Sequence, residues 1–461
     1  MTSATPTSTS PGGQPVAGGK RLVDKKTRRR IIIASTVGTT IEFYDFYAYA
    51  TAAVAVFPFL FFPKNENPTV SLLASFATFG LAFVARPLGS VVFGHFGDRA
   101  GRKVTLVASL LTMGIATFII GLLPTYASIG IAAPALLALM RFCQGLGLGG
   151  EWSGAALLAT ENAEPGARAR AAMWPQLGAP FGFILANGLF LILVLFMGHE
   201  NGQRDGAFME WGWRIPFLLS AVMVIVGLYV RFKLEETPVF KAAVESGKKA
   251  DSPLGEVFKT AWRPMILGTA VMLSTYTLFY LVTTWVLSYG IANPAKSAGL
   301  GIPYVTFLKM QLVTILFFAA AVPLAGRWAD QIGRKRFLGI VSVLMLVFAA
   351  TFAVFLTQGS ATIATVTVWL AIGMFLMGLI FGPMSAVLPE MFPTNVRYTG
   401  SGIAYNVSSI LGAAVAPFIA TALVNAYGVG SVGLYLAVVT GITLIAIFRM
   451  TETKDIDLHH V

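Results

Sequence analysis

From Ile31 to Arg449 the chain repeats one unit, an apolar run followed by a short break of Gly, Pro and charged residues. The runs are about 20 residues long, the length a helix needs to cross hydrocarbon, and a helix pairs every backbone group within its own segment. They lie near 31–56, 71–96, 104–123, 131–158, 171–197 and 214–232, and then near 265–289, 305–328, 336–357, 361–386, 398–425 and 431–449. Twelve spans leave little chain for anything else, so the expected fold is an all-α membrane protein. Composition agrees: 12% of residues are charged, where a soluble domain carries roughly a quarter.

The spacing predicts two six-helix bundles, 31–232 and 265–449, joined by a charged amphipathic linker at 233–264. Residues 1–30 are expected to be a disordered basic tail, because a Ser, Thr, Pro and Gly-rich stretch buries too little apolar surface to order itself. A short second tail follows at 450–461. Most of the 33 Lys and Arg residues fall on the segments that share a side with the N-terminus. Cytoplasmic loops retain positive charge, so both termini are expected in the cytoplasm of a cell with an inner (plasma) membrane. The net charge of +12 sits in short loops and in runs such as "KKTRRR", a pattern of topology and anionic lipid contact rather than of nucleic acid.

Several function classes drop out. Cys143 is the one cysteine and the four histidines are scattered, so neither a disulfide framework nor a metal site is expected. No Gly-rich phosphate loop is present, which removes ATP as the fuel, and no cofactor is expected. No nucleophile–base pair suggests an enzyme.

An internal repeat carries the organisation further. "GHFGDRAGRKV" (94–104) returns as "GRWADQIGRKR" (326–336), so that Gly94, Asp98, Gly101, Arg102 and Lys103 match Gly326, Asp330, Gly333, Arg334 and Lys335. A weaker echo links Glu161 and Arg168 to Glu390 and Arg397. The chain reads as a duplication, half on half.

That loop pair, in that position in a twelve-span chain, resembles the major facilitator superfamily over residues 31–450. More narrowly, "FVARPLGSVVFGHFGDRAGRKV", "RFCQGLGLGGEWSGAALL" and "WGWRIPFLLS" resemble the metabolite:proton symporter family, whose members import shikimate, 2-oxoglutarate, citrate, proline and betaine, with the shikimate branch closest. The resemblance implies secondary transport by alternating access, with substrate bound near the midplane between the halves.

Asp98 and Asp330 stand at helix ends where each can accept hydrogen bonds from the amide terminus of a helix in the opposite half, a place where the helix dipole favours an anion. Asp98 is expected near Arg397 at the start of span eleven, and Asp330 near Arg168 and Arg170 at the start of span five. Glu161 and Glu390 would hold Arg102 and Arg334, and the set would latch the cytoplasmic side. Topogenic charge alone explains the arginines but not the repeated Asp and Gly.

Five ionisable residues lie inside spans: Glu42 and Asp45 on the first, Arg86 on the second, Arg141 and Glu151 on the fourth. Arg86 is 12 residues from Asp98, about 18 Å of helix, too deep to reach the interface. Facing lipid would cost several kcal/mol each (~3), so the five should pair or converge on a wet cavity. Glu42, Asp45 and Tyr49 share one helix face, as do Arg141, Gln144, Leu148 and Glu151. Glycines 145, 147, 149 and 150 would let neighbouring helices approach span four.

Three carboxylates against two guanidiniums imply that one acid keeps its proton, since burial and a nearby like charge both favour the neutral form. Asp45 is the favoured proton site, with Glu42 or Glu151 as partner, and Arg141 and Arg86 offer forked donors to a substrate carboxylate. From the second half Tyr276, Tyr280, Trp285, Tyr405 and Asn406 are expected to face the cavity, with ordinary aromatic packing as the alternative. The expected function is proton-coupled import of a small polar organic acid by a carrier active as a monomer in the lipid bilayer. Export of amphipathic compounds and a non-transporting sensor are the alternatives.

Overall fold

The computed structural model describes residues 25–64, 67–100, 102–149, 156, 159–160, 163, 166–199, 203, 205–232, 258–393 and 396–456. Within them every regular element is helical. The first set is α1 (Lys25–Ala55), α2 (Pro68–Ala100), α3 (Arg102–Leu122), α4 (Ala132–Leu148), α5 (Arg168–Met197) and α6 (Ser220–Phe232). The second set begins with α7 (Trp262–Ile291), α8 (Tyr304–Ile332), α9 (Arg334–Ala350) and α10 (Ile363–Glu390). Next comes α11, which runs from Arg397–Ser408 through a π turn at Ser409–Ala414 into Ala416–Tyr427, and then α12 (Val429–Arg449).

Eight rods among the described residues are long and apolar enough to cross a membrane, and Val107–Leu122 and Ala132–Leu148 are shorter apolar helices. Large apolar side chains such as Ile225, Val347 and Phe448 point outward, as lipid-facing positions do. Most of the expected linker lies outside the described residues.

The two sets repeat the same pairings. α1 packs on α5, α2 on α4 and α3 on α6, and correspondingly α7 packs on α11, α8 on α10 and α9 on α12. Between the sets, α2 lies along α11 and α5 along α8. Glycine makes the first set close: a Cβ at Gly145 would overlap the Ala82 carbonyl of α2, and one at Gly147 would lie 2.8 Å from Ser109 O of α3. These contacts fix the rotation of α4 and therefore where Arg141 points.

The second set carries two π turns, Leu281–Trp285 in α7 and Ser409–Ala414 in α11. Gln311 of α8 donates to the Thr283 carbonyl at 2.8 Å, satisfying a backbone group that the α7 turn presents. In α10 the helix breaks at Gly382–Pro383, and Gln176 of α5 donates to Phe381 O at 2.9 Å across the boundary between the sets.

Candidate functional site

Arg86 reaches across from α2 to α1, its Nη2 lying 3.4 Å from Glu42 Oε1, both groups almost wholly buried. The guanidinium also lies over Phe46, 4.5 Å from the ring centroid. One turn along α1, Asp45 is fully buried and its Oδ2 stands 3.2 Å from Thr117 Oγ1 of α3. Thr117 in turn receives a 2.8 Å hydrogen bond from Gln144 Nε2, and the Gln144 Oε1 accepts from Arg141 Nη1. Asp45 and Arg141 are thus joined through two neutral side chains, Thr117 and Gln144.

Arg141 itself is fully buried. Its Nε donates to Phe79 O at 3.3 Å, and its guanidinium lies 4.1 Å from the Tyr49 ring centroid and 4.5 Å from that of Phe46. Such faces stabilise a buried cation. Its Nη2 meets no hydrogen-bond acceptor. Tyr49 turns its hydroxyl to Thr78 Oγ1 at 3.0 Å, so it presents a ring to Arg141 rather than a hydroxyl. Glu151 lies outside the described residues.

Facing these charges, the second set supplies aromatic and hydroxyl groups. Tyr280 packs on Phe79 and Phe83, with ring centroids 5.5 and 5.4 Å apart, and Tyr276 lies 5.2 Å from Tyr405. Phe279 stacks on Tyr47 at 5.8 Å, and Phe381 meets Phe43 edge-on at 6.1 Å, filling the boundary between α1, α7 and α10 with rings. Two expected residues stand elsewhere. Trp285 stacks on Tyr289 and Phe352 within its own set, in the π turn of α7. Asn406 donates to Ser90 Oγ at 3.1 Å, linking α11 to α2 rather than lining the aromatic boundary.

At the end of the bundle that holds the start of α1 and the end of α12, Asp330 of α8 reaches the first turn of α5. Its Oδ1 accepts from Ala169 N at 3.1 Å and its Oδ2 from Arg170 N at 3.0 Å. Arg334 Nη1 holds Asp330 Oδ1 at 2.9 Å, while Nε and Nη2 grip Glu390 in a fork at 3.1 and 3.0 Å. Arg168 Nη1 comes within 3.7 Å of Glu390 Oε1, and Arg397 Nε donates to Phe392 O at 3.2 Å. Glu161 and the side chains of Asp98 and Arg102 lie outside the described residues.

The segment after α12, which sequence reasoning passed over, docks here. Thr453 Oγ1 donates to Glu390 Oε2 at 2.7 Å, and Glu452 accepts from the backbone N–H groups of Arg334, Lys335, Thr453 and Lys454 at 2.9–3.0 Å. Gly333 turns with φ +95°, which brings the Glu452 carboxylate against the α9 N-terminus. Burial alone would raise the Glu452 carboxyl, yet those four donors hold it below its ordinary 4.5.

Known proteins share this architecture. Residues 30–261 match a family described as sugar (and other) transporter, and residues 310–458 match the Major Facilitator Superfamily. The chain is 55% identical over 428 residues to the inner membrane metabolite transport protein YhjE of Escherichia coli strain K12, covering 93% of this chain and 95% of that one. It is 35% identical over 417 residues to the shikimate transporter of the same strain, covering 88% and 91%. Among solved structures, the major facilitator proton:xylose symporter XylE bound to 6-bromo-6-deoxy-D-glucose shares the fold, with a TM-score of 0.71 at 15% identity over 95% of this chain and 98% of that one.

Proposed function

The chain belongs to the major facilitator superfamily of membrane transport proteins, and from that premise we propose that it imports a small polar organic acid together with protons by alternating access. The observation that carries this reading is a fully buried carboxylate, Asp45, linked through Thr117 and Gln144 to a fully buried guanidinium, Arg141, whose Nη2 has no acceptor. A carboxyl group sealed from water is a group able to exchange a proton when the cavity opens. An arginine with a spare donor beside aromatic rings suits a substrate carboxylate attached to a small ring or chain. Tyr276, Tyr280 and Tyr405 offer that body hydroxyls and faces from the other half, while Arg86 and Glu42 set the charge around it.

In this reading the Asp330–α5 contact and the Arg334–Glu390 fork latch the cytoplasmic side, with Asp98, Arg102, Glu161 and Arg397 as their counterparts. The Lys and Arg of the N-terminal segment and of the loops that share its side support both termini in the cytoplasm, at the inner membrane. The carrier works as a monomer, since each half supplies part of one site.

The test is uptake by the purified chain in sealed vesicles, with labelled shikimate, 2-oxoglutarate, citrate, proline and betaine, with and without an imposed pH gradient. The proposal expects one or more acids to accumulate only when the acidic side is outside. Uptake of zwitterions alone, or accumulation indifferent to the gradient, would overturn it.

A further inference from the structure

Tyr47 stands two residues beyond Asp45 on α1, about 200° around the helix, and so faces away from the chain of Thr117, Gln144 and Arg141. Its side chain is almost wholly buried, with 2% of the residue exposed. The ring stacks on Phe279 of α7 at 5.8 Å and stands edge-on to Phe183 of α5 at 4.8 Å, while Phe43, one turn back on α1, closes a third side at 6.1 Å. Rings hold this ring in place, yet its hydroxyl meets no hydrogen-bond partner in the protein.

An unpaired buried hydroxyl is costly, and a phenylalanine would fill the same space without that cost. Two neighbouring tyrosines of α1 show the usual solution. Tyr44 donates to Pro216 O at 2.7 Å and Tyr49 to Thr78 Oγ1 at 3.0 Å, each within the first set of helices. Tyr47 is the one of the three that stacks on a ring of the second set, and it is the one left without a partner. Its hydroxyl is therefore suited to a group that the protein does not itself supply.

Charge limits what that group can be. Among the described residues Tyr280 of α7 is the one titratable group that bears on the Tyr47 hydroxyl, and no cation does. Tyr280 interacts in turn with both Arg86 and Arg141, so it stands between the Tyr47 phenol and the guanidiniums. A ligand whose carboxylate takes Arg141 Nη2 would extend along Tyr280 toward Tyr47. A second carboxylate at Tyr47 would be buried among rings with no cation beside it, which is strongly disfavoured. An apolar end would leave the phenol unpaired. A neutral hydroxyl, donor and acceptor at once, satisfies it.

We propose that Tyr47 is a specificity-determining residue that pairs with a hydroxyl on the body of the substrate, so that the acid this carrier selects is a hydroxylated monocarboxylate rather than a dicarboxylate. The inference rests on the reading of the chain as an importer of organic acids with Arg141 at the carboxylate, and it adds the class of acid. A site built to pair a substrate hydroxyl rejects the analogue that lacks it, because the protein's own buried group is then left alone.

A matched pair of probes isolates the hydroxyl. Shikimate is a cyclohexene carboxylate with three ring hydroxyls, and cyclohex-1-ene-1-carboxylate is the same ring and carboxylate without them. Binding of each, and of 2-oxoglutarate and citrate, is measured by titration calorimetry on the purified full chain in detergent. The unaltered chain should bind shikimate at least about a hundredfold more tightly than the unhydroxylated acid. In Tyr47→Phe that preference should shrink about tenfold, through weaker binding of shikimate and unchanged binding of the other acid. The Tm of Tyr47→Phe should equal or exceed that of the unaltered chain, since the substitution removes an unpaired group and keeps the ring.

A lowered Tm, or an equal loss of affinity for both probes, makes Tyr47 a packing residue and overturns the proposal. So does a Tyr47→Phe chain that keeps the full preference. Tighter binding of 2-oxoglutarate or citrate than of shikimate overturns the class of acid and leaves the organic-acid reading standing. A chain that binds none of these acids overturns that reading, and this inference with it.

Discussion

Asp330 Oδ1 lies 3.1 Å from the backbone nitrogen of Ala169, so a carboxylate of one half closes on the first turn of a helix in the other. The same carboxylate is gripped by Arg334 from its own half at 2.9 Å. The contact therefore joins a helix dipole and a charged pair in one place.

Replacing Asp330 by Asn keeps the shape but removes the charge and turns an N–H toward donors. A loss of about 1.5–3 kcal/mol, the range for hydrogen bonds to charged groups, shifts the closed-to-open ratio at this end roughly ten- to hundredfold. Cysteines placed on the facing turns of α5 and α8 should label faster with a membrane-impermeant thiol reagent. An unchanged labelling rate would show that the contact does not hold this end shut.

Arg141 should be needed for substrate binding. Arg141→Ala is expected to weaken equilibrium binding by about 2–5 kcal/mol, as when one partner of a buried charge pair is removed. Arg141→Lys should recover little, because an ammonium cannot reach Gln144 and a carboxylate with a fork. Titration calorimetry with the transported acid decides the matter, and unchanged affinity assigns Arg141 to structure alone.

Asp45→Asn mimics the protonated acid and cannot release a proton. The ratio of uphill accumulation to counterflow should collapse, whereas Glu42→Asn should lower it less, since Glu42 is engaged with Arg86. Accumulation that survives in Asp45→Asn would move the proton site to another carboxylate.

Gly145 faces the Ala82 carbonyl with no space for a methyl group. Gly145→Ala should therefore force α4 from α2 at about 1–3 kcal/mol, the usual cost of overpacking. A lower Tm in detergent, with weaker binding because Arg141 moves with α4, is the expected result. A Tm equal to that of the unaltered chain would mean the seam yields freely.

Glu452 supplies a pH dependence outside the membrane. Its carboxyl is held below the ordinary 4.5 in the docked segment, so the stabilisation it brings is complete above that value and fades as pH falls through the depressed one. Hydrogen-exchange protection at the Arg334 and Lys335 amides, each rate taken relative to its intrinsic value at the same pH, should be high at neutral pH and fall below about 4.5, where an undocked carboxyl takes up its proton. Glu452→Gln should show low protection at both.

The long apolar helices were legible because hydrocarbon demands uninterrupted apolar length, which a sequence displays directly. The place of Asp330 was legible for a similar reason: an Asp repeated at two antiparallel helix ends limits what it can reach. Thr117 was not. A lone threonine in "MGIATFII" looks like any helical threonine bonded back to the carbonyl four residues before, and Thr117 makes that bond to Met113. Only the fold brings Asp45 and Gln144 to the same oxygen. The π turn at Leu281–Trp285 was not legible either, since nothing in "YLVTTW" announces it. Docking of Glu452 was hidden too, since it depends on where α9 begins in space.

The π turns mark where the two halves differ. Glycine seams run through both: Gly145 and Gly147 close α4 on α2 and α3, and Gly378 and Gly433 close α10 on α8 and α12 on α9. Among the described residues the π turns occur in α7 and α11 alone, and each lies against a helix of the first set, Leu281–Trp285 against α1 and Ser409–Ala414 against α2. The irregular stretches of the second half therefore sit on the boundary between the halves, where one regular partner meets one whose ladder is interrupted.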